Sequence, residues 1–183
     1  MGGEFAHFIE WKYDDQLDWF LLVYERHAPL QSCVKALNHL YRSTPALYQV
    51  DDSWNGFQWI TANDSDNSVV AFLRTDQEGK ALLCVTNFTP VFHPIYRIGL
   101  PFGGTLNEVL NTDRVEYGGS NQYNAYEIHA APGAYNDFPF WADICVPPLS
   151  TVYFTYDKIL PPPPKPRQFT TLSAPVRRQA ASG

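Results

Sequence analysis

The sequence predicts a mainly β protein, an antiparallel Greek-key β-sandwich preceded by one α-helix. Two observations favour this fold. From about residue 57 to residue 156, short segments alternate apolar and polar residues, and turn residues such as Gly, Asn and Asp separate them. Only one segment carries a clear helical period. Apolar residues make up 45% and aromatic residues 15% of the 183 residues, so a sizeable core can be buried.

The predicted helix runs from about His27 to Arg42. Its apolar residues recur at three- and four-residue steps and form one stripe: Leu30, Cys33, Val34, Leu37, Leu40 and Tyr41. Pro29 suits the first helical turn, and Pro45 follows the helix end. We expect this helix to link the segment before it to the β-domain after it.

Eight strands are predicted after the helix: Phe57–Thr61, Val69–Arg74, Leu82–Asn87, Ile95–Leu100, Thr105–Leu110, Tyr126–Ala130, Trp141–Val146 and Thr151–Tyr156. A Gly-containing loop joins the second and third of these strands, so we expect a hairpin there.

Charge is distributed unevenly along the chain. Residues 1–157 contain 8 Lys and Arg but 19 Asp and Glu, which argues against a nucleic-acid partner. Residues 158–183 contain 5 basic and no acidic residues. The proline run Pro161–Pro164 excludes helix and interior strand, so we expect a basic, Pro-rich, disordered tail over residues 158–183.

No apolar run approaches the roughly 18–20 residues that cross a bilayer, and no signal-peptide pattern opens the chain. We therefore expect a cytoplasmic protein with no membrane contact. Cys33, Cys84 and Cys145 are odd in number and lack C-x-x-C spacing. They are therefore expected to be buried thiols, and no metal or cofactor site is predicted.

The first 26 residues mix aromatic and charged residues without a sustained period. A pair of glycines, Gly2 and Gly3, precedes an acid and aromatics, as in a loop that leaves a strand to meet a ligand. Trp11, Tyr13 and Trp19 are too apolar for a free loop. We expect them to pack against elements outside this chain and to leave exposed apolar surface without them.

Many short segments together resemble one enzyme family, the bacterial 1,4-alpha-glucan (glycogen) branching enzymes of the alpha-amylase superfamily. These segments are Met1–Ala6, Glu10–Trp11, Leu17–Trp19, His27–Ala28, Leu37–Arg42, Pro45–Leu47, Asn87–Val91, Glu108–Asp113, Tyr117–Ser120 and Pro147–Leu149. Their unbroken order over roughly residues 1–156 makes the resemblance specific. The chain departs from the family at His7, where Gln is usual, and at Phe20, where His is usual.

The resemblance implies a C-terminal portion of such an enzyme. Residues 1–45 would be the end of the (β/α)8 catalytic barrel, residues 46–157 the amylase-type C-terminal all-β domain, and residues 158–183 an extension. The parent enzyme transfers α-1,4-glucan segments to form α-1,6 branches in glycogen biosynthesis, by a retaining mechanism that uses an Asp nucleophile and a Glu acid. In the family, these carboxylates lie on earlier barrel strands.

No catalytic residue can therefore be assigned here, and we expect the chain alone to be inactive, with structural and glucan-positioning roles. The implied partners are an α-glucan (glycogen or amylose) and the remainder of the barrel. A local replacement for the missing acids is not expected. Asp14, Asp15 and Asp18 lie in a polar segment, with no strand end to hold two of them in opposition.

Two places are candidates for glucan contact. The loop after the last barrel strand lies at the catalytic mouth, so Glu4, Glu10 and Trp11 are predicted substrate-binding residues, unless they cap locally or pack on the barrel rim. The second candidate is Trp54, Phe57 and Trp59. Alternation puts Phe57 and Trp59 on one strand face. If open, that face is a surface glucan site; otherwise it belongs to the core or to a domain interface.

Three alternatives remain at this point. The chain could be a non-catalytic glucan-binding β-sandwich module or the C-terminal domain of another amylase-superfamily enzyme, such as a trehalose-forming hydrolase. It could also be an interaction protein that uses Pro161–Arg167 as a ligand for aromatic-grooved domains.

Overall fold

The computed structural model describes residues 1–159, so the predicted tail from residue 160 onward lies outside the described residues. The predicted start of that tail at residue 158 is wrong. Lys158 and Ile159 still belong to the last strand, because they pair with Gly104 and Gly103 of a neighbouring strand.

The predicted helix is confirmed as α1, which spans His27–Ser43. Two short 3-10 turns precede it, at Gly3–Phe5 and Trp19–Val23. Within the described residues, α1 packs mainly against these turns and a third short turn near residue 116. Cys33 is the buried member of the predicted stripe, whereas Tyr41 is exposed. The apolar stripe of α1 is therefore only partly covered by residues 1–159.

The predicted antiparallel sandwich is confirmed. The strands are β1 Phe57–Asp64, β2 Val69–Thr75, β3 Ala81–Asn87, β4 His93–Leu100, β5 Gly103–Asn111, β6 Ile128–His129, β7 Ala131–Tyr135, β8 Phe138–Val146 and β9 Ser150–Ile159. β2 and β3 form the expected hairpin.

The strand predicted at Tyr126–Ala130 is wrong in extent, because only the two-residue β6 forms there. The sequence also failed to predict β7, which contains Pro132 and Gly133. These residue types disfavour strands, and Pro is tolerated in strands mainly at sheet edges. β7 is such an edge strand, since it pairs with β8 alone.

The strands form two sheets. The larger sheet has the order β1-β2-β3-β9-β5-β6, and the smaller has the order β4-β8-β7. All pairings are antiparallel. Strands that are distant in sequence become neighbours in both sheets, because β9 lies between β3 and β5 while β4 pairs with β8. This crossed connectivity is of the Greek-key type.

The main core lies between the two sheets. Side chains along β9 alternate between the core and the outer face, and Val152, Phe154 and Tyr156 face the core and are buried. Ile98 and Ile144 face them from the smaller sheet as members of the same apolar cluster. Burying each large apolar side chain stabilises the fold by about 1.5–3 kcal/mol. A separate small cluster of Ala46, Leu82 and Cys84 covers part of the outer face of the larger sheet.

Candidate functional site

Next to that small cluster, the outer face of the larger sheet carries aromatic residues on two strands. In the β1–β2 register Trp59 lies opposite Phe72, and Phe57 lies opposite Arg74. On β2, Val69, Ala71 and Leu73 are the residues that face the core. Phe72 and Arg74 therefore point outward with Phe57 and Trp59, as the period of two requires.

The aromatic rings form a contiguous surface. Phe57 stacks on Phe72 with a centroid distance of 5.3 Å and meets Trp59 edge to face at 4.9 Å. Trp54 adds a further edge-to-face contact with Phe57 at 5.9 Å. It lies in the short turn Trp54–Gly56, where a Cβ on Gly56 would collide with the carbonyl oxygen of Val50. The turn therefore needs glycine to bring Trp54 close to the strand.

These residues line an open depression of about 400 Å³, which we call the aromatic groove: Val50, Asp51, Asp52, Ser53, Trp54, Phe57, Trp59 and Arg74. Trp54 is 81% exposed and Trp59 is 49% exposed. Of the alternatives for this face, the sandwich core is excluded, since the groove is on the opposite side of β1 and β2 from the core.

One side of the aromatic groove is polar. The guanidinium of Arg74 donates to Oδ1 of Asp51 at 2.6 Å and approaches the carbonyl oxygen of Leu47 at 3.5 Å. The Arg74 side chain is largely buried, whereas that of Asp51 is mostly exposed. The ion pair thus holds an accessible carboxylate beside two indole rings. Such a site can bind a neutral polyhydroxylated ligand by ring stacking and by accepting hydrogen bonds from hydroxyl groups.

The predicted substrate-binding residues Glu4, Glu10 and Trp11 lie in the segment before α1. Glu4 belongs to the turn Gly3–Phe5 and lines a depression of about 200 Å³ against α1, together with Lys35 and Arg42. Glu10 is exposed, and Trp11 is 78% exposed with a left-handed backbone (φ 56°). These three residues are not part of the aromatic groove.

A buried aromatic residue organises that segment. Phe5 is fully buried and stacks on Trp19 with a centroid distance of 5.1 Å. Nδ1 of His27, at the start of α1, donates to the carbonyl oxygen of Phe5 at 2.8 Å. These contacts fix the first turn against the helix.

The segment before α1 also contains a cluster of charged side chains. Nζ of Lys12 donates to Oδ1 of Asp18 at 2.8 Å, and Nε2 of His7 lies 3.0 Å from Oδ2 of the same carboxylate. The hydrogen bond from Lys12 outweighs burial and holds the pKa of Asp18 below its ordinary value. Asp18 is therefore a structural anion. Asp14 and Asp15 are exposed, and Oδ2 of Asp15 lies 3.6 Å from the same Lys12 ammonium group.

Much of the remaining apolar surface of this segment is exposed, as the sequence predicts. We call it the N-terminal apolar face; its members are Phe8, Ile9, Trp11, Tyr13, Trp19, Phe20, Val23 and Tyr24. Large exposed apolar surfaces on soluble domains usually mark an interaction surface.

Three further findings bear on chemistry. All three cysteines are free thiols, with Cys33 and Cys84 buried and Cys145 half-buried. Within residues 1–159, no group of three His, Cys, Asp or Glu side chains is arranged to hold a metal ion. The helices in that range are all too short or too polar to cross a membrane.

Sequence reasoning did not single out Phe72 or Arg74, and it noted His7 only as a departure from the family. The register of β1 against β2 brings the first two to the groove, and alternation along β2 was the signal that could have found them. The contact of His7 with Asp18 joins two irregular segments, and no periodic pattern indicates it.

Known proteins resemble both the β-domain and the segment before it. Residues 59–157 match the family described as alpha amylase, C-terminal all-beta domain. The chain is 44% identical over 157 residues to the 1,4-alpha-glucan branching enzyme GlgB of Albidiferax ferrireducens, covering 85% of this chain and 25% of that protein. It is 41% identical over 155 residues to the same enzyme of Halothermothrix orenii, with 84% and 25% covered.

The corresponding enzyme of Aquifex aeolicus is 42% identical over 158 residues, with 86% of this chain and 25% of that protein covered. The chain thus spans about a quarter of the length of these relatives. Among solved structures, the alpha-amylase from H. orenii is similar over 70% of this chain and 20% of that chain, at a TM-score of 0.42 and 17% identity.

Proposed function

Because this chain belongs to the alpha amylase C-terminal all-beta domain family, we propose that it is the C-terminal portion of a 1,4-alpha-glucan branching enzyme. The observation that carries the proposal is the 41–44% identity to branching enzymes over about 155 residues. That stretch is longer than the matched β-domain, so the similarity also takes in residues before residue 59. A free-standing glucan-binding module has no use for those residues.

In this proposal, residues 1–45 are the end of the catalytic barrel and residues 46–157 are the β-domain. The remainder of the barrel covers the N-terminal apolar face, except for Trp11, and the uncovered part of the α1 stripe. Exposed Tyr13 and Phe20 support this arrangement, because burying large aromatic side chains against a partner stabilises the assembly substantially. The partner is therefore an apolar surface of barrel helices and strands.

The parent enzyme forms α-1,6 branches by transferring α-1,4-glucan segments, and its catalytic carboxylates lie on barrel strands that precede this chain. The isolated chain is then inactive. Incubation of the purified chain with amylose, followed by iodine colour and by counting new α-1,6 linkages, tests this directly. We expect no change in either quantity. Turnover by the chain alone would overturn the proposal, because a complete active site would then lie within it.

The role of the β-domain in this proposal is to hold glucan at the aromatic groove. Exposed Trp54 and Trp59 offer flat rings for pyranose faces, and the carboxylate of Asp51 offers an acceptor for sugar hydroxyl groups. Phe57 and Phe72 lie behind Trp59 and support its ring. An uncharged ligand suits a chain with a strong excess of acidic residues.

Calorimetric titration with maltoheptaose tests the groove. We expect saturable binding by the chain and a roughly tenfold or greater loss in Trp59→Ala. Tyr126→Ala is the control, because Tyr126 is an aromatic residue outside the groove that is even more exposed than Trp59. Equal affinity of Trp59→Ala and the parent chain would exclude the groove as a glucan site.

Glu4, Glu10 and Trp11 are proposed to contact glucan at the catalytic mouth of the intact enzyme. The exposure of Trp11 and Glu10 leaves both side chains available for that role. In a branching enzyme that carries residues 1–157, Trp11→Ala is then expected to raise KM for amylose while the free energy of unfolding stays unchanged. We also propose a cytoplasmic location, since free thiols are typical of reducing compartments.

A further inference from the structure

Charged side chains of both signs line the aromatic groove. Asp51 and Asp52 are acidic, and Arg74 is basic. Asp52 is exposed, and the side chain of Asp51 is 63% exposed, whereas that of Arg74 is only 16% exposed. A ligand that enters the groove therefore meets carboxylate oxygens more readily than guanidinium nitrogens.

The guanidinium group of Arg74 is already occupied. Its Nη2 lies 2.6 Å from Oδ1 of Asp51 and 3.5 Å from the carbonyl oxygen of Leu47. Its Nε is buried and has no hydrogen-bond partner within residues 1–159, so a ligand in the groove does not reach it. An accessible guanidinium binds phosphate well, because its planar N–H donors match the phosphate oxygens. Here a carboxylate of the protein takes the place that a phosphate would need.

The uncharged lining of the groove offers an anion little. It consists of one hydroxyl group and of apolar or aromatic side chains: Ser53, Val50, Trp54, Phe57 and Trp59. The face of an aromatic ring carries the negative part of its quadrupole, so it attracts C–H groups of a sugar and repels anions. The rings and the acids thus favour the same kind of ligand, one that is polar and uncharged.

We propose that Asp51 is a specificity-determining residue of the aromatic groove, which by pairing with Arg74 makes the groove accept neutral glucan and reject glucan that carries phosphate esters. A phosphate ester carries a charge of about −1.5 to −2 at pH 7. The exposed carboxylates of Asp51 and Asp52 repel it, and such repulsion of the wrong ligand is a common source of specificity. The inference rests on the proposed function, since it concerns which glucan the groove takes.

The ion pair also makes the preference reversible by one substitution. In Asp51→Asn, the amide oxygen can still accept a hydrogen bond from Arg74, but the negative charge is gone. The guanidinium charge is then uncompensated at the wall of the groove. A phosphate ester on a glucan that lies across Trp54 and Trp59 should be attracted to it, so the variant should prefer the phosphorylated ligand.

Calorimetric titration of the full chain with two ligands tests this, namely maltoheptaose and maltoheptaose phosphorylated on its 6-hydroxyl groups. We expect the parent chain to bind the phosphorylated ligand about threefold to tenfold more weakly in dilute salt, as repulsion between close charges near a protein surface predicts. The difference should narrow in about 0.5 M salt, because salt screens charge but not steric hindrance. In Asp51→Asn the order of the two affinities should reverse.

Two further variants isolate the role of the ion pair. Asp52→Asn removes a charge from the groove but leaves Arg74 paired, so it should narrow the difference without reversing it. Asp14→Asn removes an exposed carboxylate outside the groove and should keep the affinity ratio of the parent chain.

Three outcomes would overturn the inference while leaving the glucan site in place. They are equal affinity of the parent chain for both ligands in dilute salt, an Asp51→Asn chain that still prefers the neutral ligand, and an Asp14→Asn chain that changes the ratio as much as Asp51→Asn does. Absence of binding for either ligand is a different result. It would contradict the glucan role in the proposed function, and this inference with it.

Discussion

The hydroxyl group of Tyr96 on β4 donates to Oδ2 of Asp64 on β1 at 2.6 Å. β1 is an edge strand of the larger sheet and β4 is an edge strand of the smaller one. One hydrogen bond therefore joins the two sheets at the open side of the sandwich. Asn67 donates to both oxygens of the same carboxylate and holds it in place.

Tyr96→Phe removes this hydrogen bond and leaves the ring in the core. A hydrogen bond to a charged group contributes about 1.5–3 kcal/mol, so we expect the free energy of unfolding to fall by that amount. Urea denaturation measures it. Tyr126→Phe is the control, because Tyr126 is 86% exposed and is not a hydrogen-bond partner of Asp64, so the loss of its hydroxyl group should change nothing. Equal stability of Tyr96→Phe and the parent chain would contradict the role given to the bond.

The hydrogen bond between Tyr96 and Asp64 also predicts that the free energy of unfolding depends on pH. Burial opposes ionisation of Asp64, but hydrogen bonds from Tyr96 and Asn67 outweigh it and hold the pKa of the carboxyl below its ordinary value. Because the folded pKa is depressed, the ionised carboxylate stabilises the fold fully above the unfolded value of about 3.8, and this contribution disappears as pH falls through the folded value. As the pH is lowered from 6 to 2, the urea midpoint of Asp64→Asn should fall less steeply than that of the parent chain. An unchanged slope would exclude Asp64 as a source of acid sensitivity.

Gly104 on β5 is predicted to be intolerant of a side chain. Its φ is 136°, and a Cβ there would collide with the carbonyl oxygen of Asp157 on β9. Gly104→Ala should therefore destabilise the fold by about 3 kcal/mol or more, since backbone strain adds to a main-chain clash. Gly79→Ala is the matched variant, because Gly79 has φ 82° with no atom within 4 Å. It should cost only about 1 kcal/mol. Thermal unfolding of both variants checks the difference, and equal losses would contradict it.

The cysteines should be unreactive in the folded chain. Burial raises the pKa of Cys84 to about 12 and that of Cys145 to about 11. The thiolate is the reactive form, so a thiol reagent at pH 8 should modify neither residue at an appreciable rate until the chain unfolds. Mass spectrometry after timed labelling, with and without urea, measures this. Rapid labelling of Cys84 in the native chain would show that the β3–β9 contact opens more easily than the structure implies.

The sequence predicted the helix and most strands because their apolar residues repeat with clear periods. Leu83 and Phe154, for example, follow the alternation that places them between the sheets. The sequence did not predict β7, because Pro132 and Gly133 are unusual in strands. β7 forms because it pairs with β8 at the edge of the smaller sheet. Local composition opposes that strand, and only the sheet as a whole accounts for it.

For the site, alternation along β1 correctly placed Phe57 and Trp59 on one face. It could not decide whether that face is open, because exposure depends on what packs against the sheet. The turn at Pro45–Leu47 covers Leu82 and Cys84 but stops short of Trp59. The pairing of His7 with Asp18 was equally hidden, since it depends on how two irregular segments fold back on each other.

The most direct measurement of the central claim uses a chimera. One of the branching enzymes that this chain resembles would carry residues 1–157 in place of its own C-terminal quarter, and the same enzyme without that quarter would be the control. We predict that the chimera forms α-1,6 linkages in amylose and that the truncated control does not. A chimera that is folded by circular dichroism yet as inactive as the control would contradict the claim that this chain is the C-terminal portion of a branching enzyme.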